Sequence, residues 1–114
     1  MDFSVKWKGN LIGTTKLEKG DPPMGVALGE FLPLCAIENT LGVPLNKNLD
    51  ICGWEGFDVF TPKNQVLECH SVYLEQYDCG NEGRVYQISC IGINAEIYSQ
   101  YFQRHQDSYE NSFN

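Results

Sequence analysis

The hydrophobic period of this chain changes once, near its C-terminal end, and that change limits what the chain can fold into. Phe3, Val5 and Trp7 alternate with Ser4, Lys6 and Lys8, the period of a strand with one buried face. Gly9-Asn10 marks a turn and Leu11 to Leu17 a return strand, so the chain opens on a hairpin. Val66 to Tyr77 and Val85 to Ile93 are two longer strand-like runs around a turn at Cys79 to Gly83, and they are expected to pair antiparallel. From Ile97 the period becomes helical. Ile97, Tyr98, Tyr101, Phe102, His105 and Tyr109 fall at i, i+3, i+4, i+7 spacing, and Asn94 suits an N-cap, which predicts a helix from about Ala95 to His105. The order of parts predicts an α+β fold: a mostly antiparallel sheet of about five strands with one or two helices packed on a face. Residues 1–106 are read as a single domain and 107–114 as a polar tail.

Glycine and proline punctuate the middle. Glu18 to Pro23 reads as a defined loop, since its two prolines fix φ and remove donors. Met24 to Phe31 reads as a short buried strand, because its glycines disfavour a helix. Leu34 to Leu41 suits a short helix stopped by Gly42 and Pro44, and Leu45 to Glu55 an irregular stretch with one short strand at Leu49 to Cys52. Asn64-Gln65 marks a turn after Phe57 to Pro62. In the strand that follows, Leu67, Cys69, Ser71 and Tyr73 should share a face, with Val72-Tyr73-Leu74 signalling a bulge or two-sided burial.

Charge is spread unevenly over the 114 residues. Up to Leu34, four Lys stand against four acids; from Cys35 on, four basic residues stand against eleven acids, so the whole formal charge of −7 lies there. Trp54, Phe57, Phe60, Tyr73, Tyr77 and Tyr86 are interleaved with these acids. Such a surface argues against nucleic acid and anionic membranes as partners, because phosphate contacts need Lys and Arg. It suits a basic protein, whose opposite field speeds encounter while aromatics supply buried anchors. The residues expected to make those contacts are Asp50, Trp54, Glu55, Asp58, Glu75, Tyr77, Asp78 and Glu82, with Tyr73 and Tyr86 adding contact area. The plain alternative is a solvated face. No apolar stretch approaches the roughly 18 residues of a membrane span. Met1 to Trp7 reads as a first strand rather than a secretory leader, so a cytoplasmic location is expected.

Catalytic spacing is missing. Cys35, Cys52, Cys69, Cys79 and Cys90 include no CxxC pair and read as reduced, buried thiols, all five expected to react in a thiol assay of the denatured protein, with a Cys69–Cys90 disulfide open to them if their strands pair. Cys69 and His70, neighbours on a predicted strand, would point to opposite faces and share no metal. The histidines and cysteines form no nucleophile–base series, nothing singles out one acid pair, and the prolines of Gly20 to Gly25 remove the amides of a phosphate cradle. No catalytic residue, metal site or cofactor is expected.

Leu17-Glu18-Lys19-Gly20-Asp21-Pro22-Pro23-Met24-Gly25-Val26-Ala27 resembles a segment of small bacterial proteins without assigned enzymatic activity. Gly56 to Pro62, followed by the hairpin ending in Ile91-Gly92-Ile93, resembles the same group. In size, acidity and lack of catalytic motifs the chain also resembles bacterial immunity proteins of contact-dependent growth inhibition and polymorphic-toxin systems. That resemblance implies a cytoplasmic antitoxin that binds the toxic domain of a rival's protein, commonly a nuclease, and covers its active site. Immunity families share few residues, so no site residue carries over. The alternatives are a small enzyme or ligand-binding domain using a cleft between sheet and helix, and an accessory structural subunit.

Overall fold

A computed structural model describes residues 2–41, 46–48, 51–78 and 84–111. The opening hairpin joins β1 (Phe3–Trp7) to β2 (Asn10–Thr15), with Trp7 opposite Asn10. The turn is therefore Lys8-Gly9, one residue earlier than predicted. Both residues have positive φ, +51 and +81, as the two-residue turn that matches strand twist requires.

The same ladder resumes in β3 (Lys19–Asp21), which pairs with β4 (Val26–Pro33) along the edge that also takes β2. Thr15 faces Phe31 and Lys19 faces Leu28, so Lys16 to Glu18 stand against only Gly29 and Glu30 as a bulge. Leu17 occupies it at φ +44, with its side chain 1% exposed and its N–H donating to Thr15 Oγ1 at 3.2 Å. The predicted loop Glu18 to Pro23 is thus half strand. The prolines act only in the 3-10 turn Pro22–Met24, which Gly25 ends at φ +64.

Farther along lie α1 (Ile37–Leu41), β5 (Asn46–Asn48), β6 (Ile51–Glu55) and β7 (Phe57–Phe60), where the sequence predicted one short strand between Leu45 and Glu55. Part of that prediction, Leu49 and Asp50, lies outside the described residues. β8 (Ser71–Asp78) starts at Ser71 rather than Val66, because Val66 and Leu67 fold back onto β7: Val66 bridges to Phe60, and the Leu67 N–H donates to the Val59 carbonyl at 2.7 Å. β8 pairs with β9 (Arg84–Ile91) over its whole length without a register shift, so the run Val72-Tyr73-Leu74 is ordinary alternation, with Val72 and Leu74 buried and Tyr73 38% exposed. The turn expected at Cys79 to Gly83 lies outside the described residues.

All strand pairs are antiparallel, in the order β5-β6-β8-β9-β4-β2-β1-β7 with β3 beside β4. The class is α+β, with nine strands among the described residues in place of about five. β6 pairs with β8 near one end of this path and β7 with β1 at the other, yet only Gly56 separates them. The sheet must therefore curl until its ends meet on the segment 51–60. Gly56 makes the bend at φ +92, where an added Cβ would meet nothing within 4 Å. Its substitution is strained by conformation alone. Gly56→Ala is expected to destabilise the protein by about 1–2 kcal/mol, measured as a lower denaturant midpoint at unchanged slope.

The core draws Val5, Phe31, Trp54, Val59, Leu74 and Ile88 from six different strands. The predicted C-terminal helix is two: α2 (Ala95–Tyr101), capped by Asn94 Oδ1 accepting from the Glu96 N–H at 2.8 Å, and α3 (Gln103–Asn111). They part at Phe102, whose φ of −126 leaves the helical region as its ring stacks between Phe3 and His105. Residues 107–111 of the expected tail belong to α3. No helix among the described residues is long and apolar enough to cross a membrane.

Tyr98 pins α2 to the sheet, its buried hydroxyl donating to the Val26 carbonyl at 2.9 Å. Burial, helped by the charge of Asp21, pushes its pKa up to about 12. An unfolded tyrosine releases its proton near pH 10. Tyr98 therefore favours the folded state fully below about pH 10, and this contribution is lost as pH rises toward 12. Denaturation midpoints should fall over that window, and less steeply in Tyr98→Phe.

Candidate partner-binding face

Alternation along β8 sends Val72 and Leu74 into the core and leaves Ser71, Tyr73, Glu75 and Tyr77 outside. Register extends this face sideways. Tyr73 lies opposite Glu55 on β6 and Ser89 on β9, and Glu75 lies opposite Gln87, which in turn faces Glu30 on β4. The Glu30 N–H donates to Glu18 Oε1 at 2.9 Å, so the bulge after β2 brings a further carboxylate to this side. Glu18, Glu30, Tyr77 and Gln87 line one shallow pocket of about 360 Å³, with Lys19 as its cation.

Tyr77 and Glu75 act as a unit. The Tyr77 hydroxyl donates to Glu75 Oε2 at 2.6 Å. The accepting carboxylate holds the phenol's proton and, with partial burial, pushes its pKa up to about 12. The bond fixes an aromatic ring beside a carboxylate before any partner arrives, which leaves less side-chain freedom to lose on binding.

Of the residues singled out from the sequence, the fold brings Glu55, Glu75 and Tyr77 together, along with Tyr73. Asp58 lies on β7, past the Gly56 bend and opposite Lys6, whose Nζ lies 4.3 Å from the centre of the Phe60 ring; it shares a cleft with Glu55 but not the face of Glu75 and Tyr77. Trp54 requires a correction. It pairs with Leu74 and is only 5% exposed, so it belongs to the core and offers no surface anchor. Asp78 ends β8 opposite Arg84, and its side chain lies outside the described residues, as do Asp50 and Glu82 altogether. Tyr86 makes an edge contact with the buried Phe31, 6.2 Å between ring centres. Glu18 and Glu30 sit in the charge-neutral first part of the chain, so charge patterning does not mark them. The local signal for Glu30 is its place between Gly29 and Phe31 in a strand-like run, which sets its side chain on the face opposite theirs.

A second cleft, of about 480 Å³, follows the seam between β7 and β8 and is lined by Glu55, Asp58, Glu68, Cys69 and His70 among others. Cys69 and His70 lie in the loop before β8, not in a strand as predicted, so alternation does not separate them. No three His, Cys, Asp or Glu side chains among the described residues group to hold a metal ion. His105 is engaged structurally, with Nε2 at 2.7 Å from the Leu17 carbonyl oxygen. No protein-family model matches the chain, and neither does any curated protein or solved structure.

Proposed function

We propose that this protein is an immunity protein that binds a basic toxin domain through the outer face of β6, β8 and β9. The observation that carries this reading is the placement of Glu55, Tyr73, Glu75 and Tyr77 on one side of paired strands, with Glu18 and Glu30 beside them. A nuclease holds its substrate's phosphates with Lys and Arg, and a row of carboxylates presents those cations with complementary charge. Tyrosines add rigid, amphipathic contact area with few rotatable bonds. The protein acts by covering the toxin's active site in the cytoplasm and contributes no catalysis or cofactor of its own.

Co-expression with the product of the reading frame immediately upstream, followed by affinity purification, tests this. Co-purification of a basic protein whose toxic activity is suppressed supports the reading, provided Glu55→Lys/Glu75→Lys releases it. A partner retained equally well by the folded double variant would place the binding site elsewhere. Recovery of no basic partner would remove the toxin reading itself.

A further inference from the structure

Cys69 and Cys90 meet where the loop before β8 joins β9. The His70 N–H donates to the Ile91 carbonyl at 2.8 Å and Val72 lies opposite Cys90, which holds the loop against that strand. The two thiols are side-chain hydrogen-bond partners in unlike surroundings. Cys90 is 0% exposed, whereas Cys69 is half-buried and lines the 480 Å³ cleft, with its thiol 3.7 Å from the Ser71 carbonyl oxygen. A small oxidant entering the cleft therefore reaches one sulfur, and the other waits behind it. We infer that Cys69 and Cys90 form a hydroperoxide-responsive dithiol, Cys69 being the sulfur that reacts and Cys90 the sulfur that resolves it.

The hydrogen bond with Cys90 lowers the pKa of Cys69, against smaller opposing effects of burial and the Asp58 charge. The same bond, with burial, raises that of Cys90. The nucleophilic thiolate thus forms on the accessible sulfur. It attacks one peroxide oxygen: an S–O bond forms, the O–O bond breaks, and the leaving oxyanion takes up the proton that Cys69 released. The Cys90 sulfur then attacks the Cys69 sulfenic acid. An S–S bond forms, the S–O bond breaks, and hydroxide departs with the Cys90 proton as water. Each thiol loses one electron and the hydroperoxide gains both. This chemistry does not rest on the toxin-binding reading.

The test exposes the reduced, full-length protein to hydrogen peroxide, blocks the remaining thiols by alkylation and maps the peptides. The expected result is a Cys69–Cys90 link that forms several-fold faster than Cys35 is oxidised, although Cys35 is exposed, and that dithiothreitol reverses. In Cys90→Ala, Cys69 should instead accumulate as a sulfenic acid that dimedone traps. Cys69 still alkylatable after Cys35 has been oxidised would overturn the proposal, as would Cys69 joined to any other cysteine. The wild-type map decides between these outcomes even if the Cys90 variant fails to fold.

Discussion

Trp54→Ala is expected to lose about 3–5 kcal/mol of stability, the usual cost of truncating a large buried aromatic. Trp54 is 5% exposed and lies opposite Leu74, itself fully buried, two residues before the Gly56 bend on which the sheet closes. Removing the indole opens a void where the ends of the sheet meet, and little can collapse to fill it because strands pair on both sides of the bend. Small domains carry roughly 5–15 kcal/mol in total, so the variant should be partly unfolded at moderate temperature. Urea titration followed by tryptophan fluorescence from Trp7 measures this. A loss below about 1 kcal/mol would mean that Trp54 is not a packed core residue, and its exclusion from the binding face would have to be withdrawn.

The second large effect is on binding. Tyr73→Ala and Tyr77→Ala should each weaken partner affinity by about 2 kcal/mol, mainly through faster dissociation. Tyr73 is 38% exposed and Tyr77 half-buried, so both variants should keep near-native melting curves, unlike Trp54→Ala. Tyr77→Phe separates ring from hydroxyl. It keeps the contact area but frees Glu75 from the 2.6 Å bond, so it should lose less than Tyr77→Ala. Folded variants at both tyrosines that bind like the wild type would show this face to be merely solvated.

Local signals in the sequence foretold local structure well. The alternation of Phe3 to Trp7, the Asn94 cap and the strand from Val85 each depend on neighbours a few residues away, and each element formed close to where it was expected. The misses came from pairings between distant segments. Lys19 to Asp21 looked like loop because of Pro22 and Pro23, yet they become β3 because β4 continues beside them past the Leu17 bulge. Val66 and Leu67 carry strand-like residues, but they pair back onto β7 rather than continue into β8. Phe102 fits the helical period and nonetheless breaks the helix, because stacking on Phe3 draws it off the axis.

The candidate site was legible to the same degree. Charge and aromatic content singled out eight residues, of which Glu55, Glu75 and Tyr77 share a face. An inward-pointing Trp54 and an Asp58 placed beyond a bend could be sorted only by register and by the path of the sheet. The contribution of Glu18 and Glu30 depends on strand order β3-β4-β9-β8, which no local pattern encodes.

The central claim is that this acidic, tyrosine-bearing face captures a basic partner, and the association rate constant as a function of salt tests it most directly. Stopped-flow mixing with the co-purified toxin domain should show association slowing steeply as ionic strength rises to about 0.15 M, where charges are screened beyond roughly 8 Å. Glu55→Lys/Glu75→Lys should associate more slowly than the wild type and with a flatter salt dependence. Association that is indifferent to salt, and equally fast for the wild type and the charge-reversed variant, would contradict the claim.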